Sequence, residues 1–131
     1  MNKKEQFIRI DTAGNKFYYP DREMLILHRE DGPAIEGTNG YKEWVLNGKL
    51  HREDGPAIER ADGRKEWYLN GRRHREDGPA VENANGNKSW WLNNERLTEE
   101  EFNKRMNPVE LTLEEIAEKF GVSVDKLRIK K

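Results

Sequence analysis

The sequence predicts a mainly β protein, an elongated antiparallel meander of hairpin repeats with a small α-helical cap at its carboxy end. Three observations predict it. The run His-Arg-Glu-Asp-Gly-Pro-Ala begins at His28, His51 and His74, 23 residues apart each time. Gly40, Gly63 and Gly86 keep the same interval, as do Trp44, Trp67 and Trp90, and Leu46, Leu69 and Leu92. A fixed period of this size marks one supersecondary unit copied and stacked on itself. Each unit also carries two turn signals. The first is Asn39-Gly40, Asp62-Gly63 or Asn85-Gly86, and the second is Asn47-Gly48, Asn70-Gly71 or Asn93-Asn94. Such pairs supply the positive φ angles of tight reversals between antiparallel strands. Finally, the residues between the turns alternate, as in Lys65-Glu66-Trp67-Tyr68-Leu69, where Trp67 and Leu69 share one side and Glu66 and Tyr68 the other.

Taken in order, the basic amino terminus Met1 to Phe7 is followed by no apolar stretch, so no secretory signal is expected. Residues 8–27 read as a degenerate repeat. Gly14-Asn15-Lys16-Phe17-Tyr18-Tyr19 matches Gly63-Arg64-Lys65-Glu66-Trp67-Tyr68, and three extra residues then precede His28. Terminal repeats are usually atypical because they cap the stack. Clear repeats follow at 28–50, 51–73 and 74–97. In each, a strand such as Pro56-Ala57-Ile58-Glu59 follows a bend at Asp54-Gly55-Pro56. The sheet domain is thus 1–97, with about eight strands. The cap is 98–131. Leu97-Thr98-Glu99-Glu100-Glu101-Phe102 and Leu111-Thr112-Leu113-Glu114-Glu115-Ile116 both read as Thr N-caps with a capping box and a hydrophobic staple. The second helix stops at Gly121, and the tail from Val122 to Lys131 reads as a turn of helix or a final strand through Leu127 and Ile129, with the strand favoured.

The chain has 131 residues, 37% charged and 34% apolar, with a net charge of −1. So low an apolar share suits a thin sheet better than a thick two-layer core. Near-neutral charge argues against a general polyanion binder. With no cysteine, disulfides and thiolate zinc sites are excluded. The longest aliphatic runs, such as Met24 to Leu27, are too short to span a bilayer. These features lead us to expect a cytoplasmic protein with no cofactor and no bound metal.

The 23-residue unit resembles MORN-type repeats, whose units have that length and form successive β-hairpins. The matching residues are the Asp-Gly or Asn-Gly turn, the strand Trp and the run Asn47-Gly48-Lys49-Leu50-His51. The resemblance covers about residues 8–97. It departs from the common form in following His with Arg-Glu-Asp-Gly-Pro-Ala and in placing Trp one residue further from the turn. In this it is similar to the variant found in small bacterial and bacteriophage proteins. The resemblance implies protein contacts, self-association or phospholipid binding, without naming a ligand. For a phage-encoded chain it implies action on a host protein in the host cytoplasm.

The tripled His-Arg-Glu-Asp run invites a metal or acid–base site. Equivalent residues in adjacent hairpins, however, sit two strands apart, roughly 9–10 Å, too far for two histidines to share one ion. The structural reading pairs Arg52 with a carboxylate of its own or the next unit and gives Asp54 and Gly55 to the bend. His28, His51 and His74 are then repeat-forming residues, and Trp44, Trp67 and Trp90 with the Leu row are expected core. Positions that vary between near-identical units are not needed for stacking: Val45, Tyr68 and Trp91; Gly37, Arg60 and Asn83; Tyr41, Arg64 and Asn87. Tyr41, Arg64, Tyr68 and Trp91 are the partner-binding candidates, because Tyr, Trp and Arg most often anchor interfaces. No nucleophile–base pair or phosphate loop is evident, so the expectation is a non-catalytic protein that binds one macromolecular partner, a protein, and inhibits or scaffolds it. Two alternatives belong to other classes. Thr112 to Arg128 resembles the first part of a helix-turn-helix, so Lys126, Arg128, Lys130 and Lys131 would contact DNA. Alternatively, Arg52, Arg64, Arg72 and Arg73 would hold a small anion or lipid headgroup on the sheet.

Overall fold

A computed structural model describes residues 5–107 and Gly121. Along the chain run β1 (Phe7–Ile10), β2 (Lys16–Tyr19), β3 (Ile35–Glu36), β4 (Lys42–Glu43), β5 (Val45–Leu46), β6 (Lys49–Leu50) and β7 (Ile58–Glu59). They continue as β8 (Lys65–Glu66), β9 (Tyr68–Leu69), β10 (Arg72–Arg73), β11 (Val81–Glu82), β12 (Lys88–Leu92), β13 (Glu95–Leu97) and α1 (Glu99–Met106). Nine strands form one antiparallel sheet in the order β1-β2-β3-β4-β7-β8-β11-β12-β13, and β5–β6 and β9–β10 are separate two-stranded hairpins. The fold is mainly β, built of hairpins, with one short helix after them. The second helix, the terminal strand and the helix-turn-helix-like segment expected beyond Asn107 lie outside the described residues.

The expected continuous strand through each Trp is interrupted in two of three units. Trp44 donates its N–H to Ala57 O at 2.8 Å and accepts from His51 N–H at 3.0 Å. Trp67 does the same with Ala80 O and His74 N–H. The strand therefore changes partner at the Trp. Its first half pairs with the neighbouring strands of the large sheet, and its second half pairs within its own hairpin. β12, which no further Ala strand follows among the described residues, runs unbroken through Trp90 against β13. Hairpin tips are also tied in series: Gly48 N–H reaches Leu27 O, Gly71 N–H reaches Leu50 O, and Asn94 N–H reaches Arg73 O.

The two turn signals use different geometry. At the second, both residues are left-handed, with φ of 51° at Asn70 and 77° at Gly71, the two-residue turn the sequence implies. At the first, only the glycine is, with φ of 98° at Gly63, while the Asp62 carboxylate accepts Arg64 N–H at 3.0 Å. Arg60 and Arg64 close this longer loop by a backbone bond at 2.9 Å, so it is a wider reversal than Asp-Gly alone suggests.

The core also differs from expectation. The tryptophans and Leu46, Leu69 and Leu92 are half-buried, whereas Ala34, Ala57 and Ala80 are fully buried, with Val45, Ile58, Val81, Tyr18 and Tyr19 nearly so. Each Ala sits where a strand exchanges partners and its carbonyl accepts across the sheet; the N–H of Ala34 and of Ala57 also donates, to Glu43 O and Glu66 O. The degenerate first unit keeps the register: Tyr18 takes the place of Trp44, and its carbonyl accepts His28 N–H. At the other end, Thr98 caps α1 by accepting Glu101 N–H at 3.1 Å, and Leu97 and Phe102 are buried as the staple predicts.

Candidate functional site

Cross-strand register assigns every strand residue to one of two faces. On one, Lys16, Glu36, Lys42, Glu59, Lys65, Glu82 and Lys88 stand directly opposite one another in sequence, an unbroken ladder of alternating charge. This face carries the repeated motif. Arg52 lies over Trp44 with its guanidinium carbon 3.7 Å from the ring centroid, and Arg29 and Arg75 lie over Tyr18 and Trp67 at 3.9 Å. Within its own unit Arg52 donates to Asp54 at 3.1 Å, to the Pro56 carbonyl at 3.0 Å and to Glu59 at 3.4 Å. Arg29 and Arg75 repeat the set. The glycine of the motif is required by close approach: a Cβ on Gly55 would stand 2.8 Å from the Arg52 guanidinium carbon.

The histidines join units. His51 Nδ1 accepts Asn70 N–H at 3.0 Å, and His28 and His74 accept from Asn47 and Asn93 in the same way. An accepting Nδ1 places the proton of the neutral ring on Nε2, which faces Glu53 at 3.6 Å. The His-Arg-Glu-Asp run is thus committed to holding its own bend and the next hairpin tip. Open troughs of about 550 and 700 Å³ lie between successive arginines, floored by Trp67 and Leu69 in one and Trp44 and Leu46 in the other. Trp90, the last of the repeated tryptophans, has no guanidinium stacked on it among the described residues; Phe102 and Met106 of α1 line the hollow beside it. Among the described residues no three His, Asp or Glu side chains are placed to hold a metal ion.

The opposite face carries the row Arg9, Phe17, Ile35, Glu43, Ile58, Glu66, Val81 and Ser89. All four partner-binding candidates gather here, around Glu66. That carboxylate is 2% exposed, and three guanidiniums converge on it: Arg73 at 3.0 Å, Arg64 at 3.2 Å and Arg60 at 3.4 Å. Burial pushes the Glu66 carboxyl up, but the hydrogen bonds and charges of Arg64 and Arg73 outweigh it and hold the group below its ordinary range. Arg64 also donates to Asn83 at 2.7 Å, and its buried Nε has no hydrogen-bond partner among the described residues. Arg73 donates Nε to the Tyr68 hydroxyl at 3.0 Å and lies 4.9 Å from the Trp91 ring centroid. Trp91 donates its indole N–H to Ser89 at 2.8 Å. Tyr41 donates to Glu43, and burial followed by that bond raises its phenol above the ordinary range.

No protein-family model, curated protein or solved structure matches this chain.

The alternation that set Glu66 and Tyr68 opposite Trp67 already placed the carboxylate beside Arg64, two residues away on the same side. What sequence reasoning missed is Glu66 as the hub and Ser89 as the anchor of Trp91. The four arginines grouped for an anionic ligand do not form one site. Arg72 is opposite Leu69 and Arg52 is stacked on Trp44, both on the ladder face, whereas Arg64 and Arg73 bind Glu66 on the other. The lysines and Arg128 of the DNA reading lie outside the described residues. No helix among the described residues is long and apolar enough to cross a membrane.

Proposed function

We propose that this chain is a MORN-like, non-catalytic interaction protein that holds a protein partner on the Glu66 face, with Tyr41, Arg64, Tyr68 and Trp91 as contacts. One observation carries the reading: the side chains that vary between units converge on one face and are fixed there by one another. Arg73 braces Tyr68, Ser89 braces Trp91, and Glu43 braces Tyr41. Side chains already held in place lose little freedom on binding, so more of their contact energy appears as affinity. α1 packs beside Trp90, on the ladder side, and leaves Tyr68 and Trp91 half exposed. A surface of this kind acts by occupying or bridging its target, which is inhibition or scaffolding rather than turnover.

Affinity capture with the full chain, followed by titration of the captured protein, tests the reading. Tyr68→Ala or Trp91→Ala should weaken binding by about 2 kcal/mol, roughly thirtyfold, with thermal stability within a few degrees of the parent. Binding indifferent to both, but abolished by removing residues 108–131 and steeply salt-dependent on duplex DNA, would support the nucleic-acid reading instead.

A further inference from the structure

Charge is divided unequally between the two faces. The lysines of the strands, Lys16, Lys42, Lys49, Lys65 and Lys88, all stand on the ladder face, where glutamates alternate with them. On the Glu66 face the paired strand residues include Arg9, Arg73 and Arg96, and Arg60 and Arg64 join them at Glu66; no lysine is among them. Against these five arginines stand Glu43 and Glu66, and Glu43 is occupied by Tyr41. Glu66 is a single carboxylate serving three guanidiniums, so it orients them without neutralising them.

We infer that the partner presents an acidic protein segment, whose Asp or Glu carboxylates dock on the Arg60 and Arg73 guanidiniums. This rests on the reading of the Glu66 face as the protein-binding surface. A guanidinium is a planar fork that matches a carboxylate in two parallel bonds, which a lysine cannot do. Arg73 uses Nε on Tyr68 and Nη2 on Glu66, and Arg60, 46% exposed, donates Nε to Glu66, so among the described residues neither has its Nη1 engaged by a hydrogen bond. Phosphate would also satisfy these forks, but a nucleic acid on such a surface draws much of its affinity from bases stacking on aromatic rings. Here the Arg73 guanidinium already stands over Trp91 at 4.9 Å and beside Tyr68 at 5.8 Å, so one side of each ring is taken and less is left for bases. Carboxylates on a peptide need no such platform.

The test uses the full chain and two labelled probes of equal net charge, an oligo-L-glutamate peptide and an oligo-dT strand, followed by fluorescence anisotropy. The peptide should bind saturably and more tightly than the oligonucleotide. Arg60→Ala and Arg73→Gln should each weaken it about tenfold. Arg60→Lys should recover only part of the loss, since charge returns without the fork. Arg72→Gln, on the ladder face, should change nothing. Arg60→Ala leaves Glu66 paired with Arg64 and Arg73, so that variant keeps the test valid if Arg73→Gln proves unstable. Equal or tighter binding of oligo-dT, an equal loss in Arg72→Gln, or no saturable peptide binding would overturn the inference. If the peptide fails while Tyr68→Ala still abolishes binding of a captured protein, only the acidic-segment inference falls. If capture is also indifferent to Tyr68, the protein-binding reading falls with it.

Discussion

Replacing Arg52 measures directly what holds one unit to the next. Four interactions of its guanidinium are lost in Arg52→Ala, with the Pro56 carbonyl, Trp44, Asp54 and Glu59, and they differ in weight. The 3.4 Å contact with Glu59 is the longest of its hydrogen bonds and contributes under about 1 kcal/mol. The bond to the Pro56 carbonyl, 3.0 Å long and beneath a half-buried side chain, is charge-assisted and contributes about 1.5–3 kcal/mol. The stack on Trp44 at 3.7 Å adds about 1 kcal/mol at this degree of shielding. The pair with Asp54 adds little, about 0–1 kcal/mol, because Asp54 is 89% exposed and water screens it. The expected loss is about 3 kcal/mol, carried mostly by the carbonyl and the ring rather than by the ion pairs. For a chain of this size that lowers Tm by about 10 °C, readable by circular dichroism. Arg52→Lys keeps the charge but loses the fork, and should recover less than half of the deficit. Arg29→Ala and Arg75→Ala should cost similar amounts, since they repeat the same contacts. A drop in Tm of under about 3 °C for Arg52→Ala would refute the account. So would full rescue by lysine, which would make the charge alone responsible.

Three further outcomes follow from the same geometry. Ala57→Leu should cost about 1–3 kcal/mol in urea unfolding, because Ala57 is fully buried at a strand exchange and has no room to grow. Phe102→Ala should cost about 3 kcal/mol through loss of the staple, and should raise amide exchange in α1 and at Trp90 before the middle repeats. Glu66 is held below its ordinary value of 4.5 when folded, so its contribution is present above that value and is lost as pH falls through and below it. Glu66→Gln should therefore be less stable than the parent at pH 7, and its Tm should fall less steeply on acidification. An unchanged acid slope would show that the guanidinium cluster does not couple to folding.

Much of this architecture is legible in the residues themselves. The period of 23, the paired turn signals and the register of the degenerate first unit all reappear as hairpins, down to Tyr18 standing where Trp44 stands in the next unit. The Thr98 cap was equally readable, because its signal is local. What alternation could not convey is a strand that changes partner midway. Lys65 to Leu69 reads as one strand, and only the demand of Ala80 for the Trp67 N–H divides it. For the same reason the core was misplaced. Size and hydrophobicity point to Trp, whereas the positions with no room are the alanines where backbones exchange partners. The Glu66 hub was half legible: its face was predictable, but three arginines reaching it from different turns and strands was not.

The separation of repeated from varied residues has a physical cause. A unit can stack on its neighbour only if it presents what that neighbour requires: an aromatic for the next Arg, a turn N–H for the preceding His, and an Ala small enough to sit at the strand exchange. Trp, Leu, Glu and Lys at their four ladder-face positions are identical in all three clear units. On that face Lys49, Arg72 and Glu95 differ, beside the hairpin tips, and Leu97 of the last hairpin stands where His51 and His74 stand in the others. On the other face Ile35, Ile58 and Val81 stay apolar, but the remaining positions satisfy no such requirement, and there the sequence changes: Tyr41, Arg64 and Asn87; Glu43, Glu66 and Ser89; Val45, Tyr68 and Trp91; Leu50, Arg73 and Arg96. The result is a different chemistry on each unit, apolar at Val45 and Leu50, cationic around Glu66, aromatic at Trp91. On the proposed protein-binding reading, a surface made of three unlike stations at a fixed spacing would distinguish partners by length and order as well as by charge. Exchanging the varied residues of the second and third units should consequently preserve folding, because every ladder-face contact is unchanged, while weakening the partner by about tenfold or more as its anchors move two strands along the sheet. Retention of full affinity after that exchange would show that the stations act independently and that their order carries no recognition.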